Sequence, residues 1–296
     1  MAEERRRTVA RRDLSRDDHF ADISPQLGQL DEDAFDDYLD DDPDQALELM
    51  ASMAQATDGS LAMLARRLAG RLILDLARTG RARSPGIGRL ASVPAGRSDG
   101  DIDLDASLDA LTAARAEHRP PDLDQLKVSA WRRPGTSICL LVDRSGSMDG
   151  QRLASAAVAA AVCAWRAPVR FAVLAFSDRV VAIRELNDTK PAEQVVAEVL
   201  ALRGHGTTDV GLALRAAQRQ FDAAPPGRHL TVLLSDAEVT VGGDPVPSAR
   251  ALDELTLIAP ADDPSHARTL AGAVGARIAE VTGPLSVLDA LRQVVG

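Results

Sequence analysis

Aromatic side chains make up only 3% of this 296-residue chain, and cysteine and lysine occur just twice each. Cys139 lies in an apolar run of strand character and Cys163 in an Ala-rich helical stretch. In such settings a free cysteine behaves as a small hydrophobe, so no disulfide framework is expected. Lys127 and Lys190 are the only lysines, and the other basic residues are all arginine, which we read as compositional bias. The net charge of -10 leaves no excess of basic residues for phosphate contacts. That excludes nucleic acid and anionic membrane as expected partners. The longest apolar run, Ala156 to Trp165, is half of the roughly 20 residues that cross a bilayer. The first residues are charged and precede no apolar segment, so the expected location is the cytoplasm. No Gly-x-x-x-x-Gly-Lys-[Ser/Thr] occurs, which removes a P-loop, and the one Gly-x-Ser-x-Gly, Gly96 to Gly100, lies in the Gly-, Arg-, Ser- and Pro-rich residues 79–100, which read as a connector and not as a strand-to-helix elbow.

Apolar residues are nonetheless plentiful, at 45%, and their spacing divides the chain. Residues 1–44 mix charge with few large apolar groups and read as a flexible tail. Its end, Asp31 to Asp44, packs nine acids into fourteen residues around Phe35 and Tyr38. No register of that stretch supplies the Gly and Glu of an EF-hand loop. Residues 45–125 form a helical region, with apolar residues at helical spacing over 45–56, 60–78 and 101–117. The Gly-, Arg-, Ser- and Pro-rich residues 79–100 read as an exposed connector within it. From residue 126 to 296, short apolar strands alternate with Ala-rich helices. This pattern calls for a doubly wound α/β fold with a mostly parallel sheet and helices on both faces. The strands over 169–176 and 180–186 are joined by three residues, so one antiparallel strand is expected at the edge.

One stretch concentrates the chemistry. Ser137 to Val142 is a strand that breaks into Asp143-Arg144-Ser145-Gly146-Ser147 before a helix begins near Gly150. The oxygens of Asp143, Ser145 and Ser147 alternate along an extended loop and can converge on one hard cation. Two further segments repeat the theme: Gly206-Thr207-Thr208-Asp209 precedes a helix, and the strand Leu230–Leu234 runs into Ser235-Asp236. Asp143 and Asp236 both fall at the carboxyl ends of strands, where open α/β sheets gather ligands. Two carboxylates and three hydroxyls around a divalent ion leave the site close to neutral.

These three motifs, in this order and spacing, resemble the von Willebrand factor A (VWA) domain with its metal-ion-dependent adhesion site. The likeness covers roughly residues 135–296. It implies a VWA, Rossmann-like fold in which Asp143, Ser145, Ser147, Thr208 and Asp236 hold magnesium, with manganese or calcium as alternatives. One coordination position is left for an Asp or Glu of a partner protein. The departures are Arg144, His205, Thr207 and the pair Ala237-Glu238. Arg144 is either a source of positive potential for an acidic ligand or a solvated loop residue. His205 and Glu238 have no assigned role.

Gly100 to Leu104, a helix, and then the basic end of Lys127–Arg133 resemble the approach to the VWA domain in CoxE-type proteins and in the magnesium-chelatase D subunit. That likeness implies an adaptor for a separate MoxR-type AAA+ ATPase in the maturation of a protein complex or cofactor site. The alternatives are a chelatase subunit and a metal-dependent hydrolase. No general base is placed by motif, so the expectation is a binding protein and not an enzyme. The acidic stretch Asp31–Asp44 is a further candidate to occupy the open metal position from within the chain.

Overall fold

In a computed structural model, the described residues are 8–78, 89–95, 101–132, 135–144, 150–204 and 206–295. Two units partition the chain: Met1–Ala82 joined with Thr136–Gly296, and Arg83–Gly135.

The first unit begins with five helices: α1 (Arg11–Leu14), α2 (Phe20–Ile23), α3 (Glu32–Asp41), α4 (Pro43–Met53) and α5 (Gly59–Arg78). The second holds β1 (Arg89–Pro94), β2 (Asp101–Ile102), α6 (Leu104–Ala116) and β3 (Lys127–Arg132), with the strands in the antiparallel order β1-β3-β2. The first unit then resumes with β4 (Thr136–Asp143), α7 (Gly150–Arg166), β5 (Phe171–Phe176), β6 (Val180–Arg184), α8 (Ala192–Leu200), α9 (Val210–Asp222) and β7 (Arg228–Leu234). It closes with α10 (Val246–Arg250), β8 (Glu254–Pro260), α11 (Ser265–Val274), β9 (Arg277–Val281) and α12 (Pro284–Val295).

The main sheet has the order β6-β5-β4-β7-β8-β9, parallel except for β6 at one edge. This is the doubly wound fold read from the strand and helix alternation. Side chains along a strand alternate between faces, so two cores form. Ile138, Leu140 and Val142 of β4 join α7, α8 and α12 on one face. Cys139 and Leu141 join α9, α10 and α11 on the other. Burial pushes the thiol of Cys163 up to about 12 and that of Cys139 higher still, so both stay protonated and inert.

Helix α7 explains why the N-terminal helices belong to this unit. Every residue from Leu153 to Ala164 is buried, and a helix that is apolar all round has to be covered on all sides. The sheet covers one side through β4 and β5, α8 and α12 flank it, and α4 and α5 close the remaining side. Alanine at most of these positions lets the neighbours approach closely.

The domain division therefore differs from the one expected. Residues 8–44 carry α1, α2 and α3, and Leu14, Phe20, Ile23, Phe35 and Tyr38 are all buried. A few large side chains on short helices give no readable period, yet each enters a core that α4 and α5 provide. Tyr38 stacks on His19 at 4.0 Å and donates to Asp17 at 3.2 Å. Burial and the nearby Asp17 raise its phenol to about 12. The acids of Asp31–Asp44 have local work: Asp31 caps α3, Asp42 caps α4, and Asp44 accepts the Leu285 N–H at 2.8 Å at the start of α12.

Farther along, residues 89–94 of the expected connector form β1, because β3, more than thirty residues away, supplies the ladder. Strand β3, expected to open the α/β domain, belongs to the smaller unit, and the larger one resumes at Thr136. Within the smaller unit, α6 lies on β3, with Ser107 and Ala114 buried. Among the described residues no helix is long and apolar enough to cross a membrane.

If residues 8–44 are part of the fold, Phe35→Ala will lower the stability of the full chain by about 3 kcal/mol, the scale of a buried Phe truncation. Urea unfolding measures this, and a solvated tail would give no change.

Candidate functional site

Strand order locates the site. The chain leaves β4 toward β5 and β6, then returns to place β7, β8 and β9 on the other side, so the winding reverses between β4 and β7. Helices on both sides diverge there and leave a crevice beyond the carboxyl ends of the strands. Asp143 ends β4, and Ser235 and Asp236 follow β7 directly.

A cleft of about 310 Å³ opens at that edge, and Asp143, Asp236, Asp262, Arg152, Ser155 and Thr282 contribute to its lining. Asp143 and Asp236 thus meet in one cavity. Ser235 Oγ donates to Asp143 Oδ2 at 2.5 Å and accepts the Ala237 N–H at 2.8 Å. The Glu238 N–H donates to Asp236 Oδ1 at 3.0 Å. Each carboxylate is therefore oriented by a donor from the segment that follows β7.

Thr208 reaches the same edge by a different route. It is buried, its N–H donates to Thr240 Oγ1 at 2.7 Å, and its carbonyl accepts from the N–H groups of Thr240 and Val241. The next residue, Asp209, donates its N–H to the Ser177 carbonyl just past β5 and caps α9 by accepting from Leu212. Strand β4 lies between β5 and β7, so these ties to the segments after both of those strands bring Thr208 to the sheet edge that Asp143 and Asp236 share, although it does not line the cleft itself. Three of the five expected metal ligands, Asp143, Thr208 and Asp236, are brought to one sheet edge. Ser145, Ser147 and His205 lie outside the described residues. Glu238 is exposed, and only its backbone touches Asp236.

The neighbourhood of these three contains residues that motif reading passed over. Gly242 has φ +90, and a Cβ there would stand 2.5 Å from Asp209 Cγ, so only glycine lets this loop close over the α9 cap. Ala237 has φ +61 although it is buried, a left-handed backbone that an L-residue adopts only under strain. At the start of α7, a Cβ on Gly150 would meet Ser52 Oγ at 2.5 Å and the Glu48 carbonyl at 2.8 Å, which shows how closely α4 presses on the helix after the Asp143 loop. Arg144 is half-buried, and among the described residues its Nε has no hydrogen-bond partner, which is not the environment of a solvated loop arginine. None of the acids between Asp31 and Asp44 lines the cleft.

The donor set suits a hard divalent cation. Two oriented carboxylates share the cleft, and the two buried cysteines are elsewhere in the core and protonated. Among the described residues no group of three or more His, Cys, Asp and Glu side chains is gathered. A site that takes much of its oxygen from hydroxyls does not need one.

Fold and site together define an α/β domain with its ligand edge at the β4/β7 switch point. A family model described as VWA domain containing CoxE-like protein matches residues 64–259, well over half of the chain. The chain belongs to the CoxE-like family of VWA domain proteins. Similar solved structures include a von Willebrand factor type A protein from Catenulispora acidiphila, 21% identical with a TM-score of 0.45 over 57% of this chain and 43% of that one. BatB from Bacteroides thetaiotaomicron is 15% identical with a TM-score of 0.46, over 54% of this chain and 96% of that one. A manganese-loaded TRAP protein from Plasmodium vivax is 14% identical with a TM-score of 0.46, over 55% and 74% of the two chains. The match to the first of these spans less than half of that protein's length. Comparison with curated proteins gave no match.

Two substitutions test the loop geometry with opposite signs. Ala237→Gly will raise stability by about 0.5–1 kcal/mol, the left-handed penalty of an L-residue less the added unfolded-state entropy. Gly242→Ala will lower it by about 1–3 kcal/mol by forcing a strained loop away from Asp209. Urea unfolding reads both.

Proposed function

We propose that this protein is a divalent-metal-dependent interaction module, with magnesium as the ion, that binds a partner protein through an Asp or Glu of that partner. The observation that carries this reading is the meeting of Asp143 and Asp236 in one cleft at the switch point, with Thr208 tied to the same edge. Asp143, Thr208 and Asp236 would hold the ion together with Ser145 and Ser147 of the matching sequence motif. When bound, the ion would supply a positive centre for an incoming carboxylate. The Nε of Arg144, without a partner among the described residues, supports an acidic ligand, because a half-buried guanidinium next to Asp143 gains from a second anion.

Family membership supports an interaction role, and the likeness to CoxE-type proteins carries the finer proposal. The chain works as an adaptor beside a separate MoxR-type AAA+ ATPase, in the maturation of a protein complex or cofactor site. We read it as a binding protein and not an enzyme. No histidine is among the described residues lining the cleft, and Asp143 and Asp236 are engaged there as oriented acceptors.

Pull-down of the ATPase or client from lysate, with magnesium and with EDTA, tests the reading. Recovery is expected only with metal and is lost in Asp143→Ala; equal recovery by that variant would overturn the metal bridge. Calorimetric titration with magnesium gives a second measure. Ser235→Ala removes the donor that orients Asp143 and is expected to weaken metal binding about 10-fold, as loss of such supporting hydrogen bonds commonly does.

A further inference from the structure

The smaller unit exposes an apolar face that nothing in the metal reading uses. Helix α6 buries Ser107 and Ala114 against β3, and Ser107 Oγ both accepts the Lys127 N–H at 2.9 Å and donates to the Lys127 carbonyl at 3.1 Å. The leucines of the same helix are turned outward. Leu104 is 65% exposed and Leu108 58%, Leu111 is half-buried, and Ile102 just before the helix is 56% exposed. A helix that buries a serine and presents leucines at i, i+4 and i+7 has its recognition face on the outside, because those are the anchor positions of a helix laid into an apolar groove.

The charges around the face state what such a groove has to offer. Asp101, Asp103, Asp105 and Asp109 surround the leucines, and α6 has no basic residue before Arg115. Among the described residues none of Asp101, Asp105 and Asp109 forms an ion pair with a cation. A second copy of the chain is a poor occupant, since a two-fold contact would set these acids against themselves. An anionic membrane is disfavoured by the same charge.

We infer that the Leu104–Leu108–Leu111 face of α6 is a docking helix for a second protein that offers an apolar groove rimmed by lysine and arginine. This docking uses no residue of the metal cleft. It is therefore insensitive to EDTA, and it stands or falls separately from the metal-dependent reading.

The test uses the full chain carrying a photo-cross-linking amino acid at position 108, or at position 113 on the far side of α6, expressed in the source cells. Cross-linking from position 108 is expected to enter another protein, at a peptide whose apolar residues are flanked by Lys or Arg, with little yield from position 113. The cross-link should persist in EDTA, weaken at high salt, and fall about tenfold when Leu104→Ser and Leu111→Ser are added, the scale of losing two anchors. Cross-linking into the chain itself or a second copy, into a peptide without basic residues, or equally from both positions would overturn the inference. A melting curve guards against misfolding. Exposed leucines predict an unchanged midpoint for Leu104→Ser with Leu108→Ser, and a drop of several degrees would mean that they pack at home and would also overturn it.

Discussion

Burial of helix α7 on all sides from Leu153 to Ala164 is the constraint on which the larger unit depends. Over this stretch the helix offers no polar face to water, so a single sheet and its flanking helices cannot satisfy it. The N-terminal helices supply the missing cover, and this recruits to the α/β core a segment that by composition looks like a charged tail. Close approach is the means. Alanines line most of α7, Gly150 admits α4 at its start, and Gly70 of α5 sits so near α8 that a Cβ would lie 3.0 Å from the Glu193 carbonyl.

The same packing reaches the ligand edge. The cleft is bordered by the beginnings of α7 and α12, and α4 touches both. Glu48 and Ser52 abut Gly150, while Asp44 caps the first turn of α12 through Leu285. Helix starts carry unsatisfied N–H groups and partial positive charge, so a carboxylate cap from α4 steadies α12 next to the acidic cleft. On the opposite face, the loop after β7 holds Thr208 by its main chain, through the Thr240 hydroxyl and the N–H groups of Thr240 and Val241. The site is thus a seam where two helical layers and two strand ends meet, and its order is set by residues that carry no metal chemistry themselves.

Much of this was legible in the chain. The strands and helices from residue 136 onward emerge from apolar period and turn chemistry because a parallel sheet buried on both faces demands short continuous apolar runs. The positions of Asp143 and Asp236 were legible for a related reason, and Thr208 was singled out by the family resemblance. Both aspartates stand at strand ends beside the switch point, positions that sequence period marks directly. The supporting residues were not, since Ser235, Thr240 and Gly242 act through contacts with residues dozens of positions away. Ala237 did carry a signal as one of the departures from the family pattern, and the structure gives it a φ of +61.

By itself the sequence determined the α/β class, the edge antiparallel strand, the family resemblance and the acidic-oxygen character of the site, all of which follow from local pattern and residue chemistry. Only the tertiary structure decided that residues 8–78 share a core with the sheet and that residues 83–135 form a unit of their own. It also decided that the acids near Asp31–Asp44 cap helices and that α6 turns its leucines outward. Each of these depends on which surface a segment finds to cover. A short helix with one phenylalanine, or a strand whose partner lies more than thirty residues away, has no local period that records the choice.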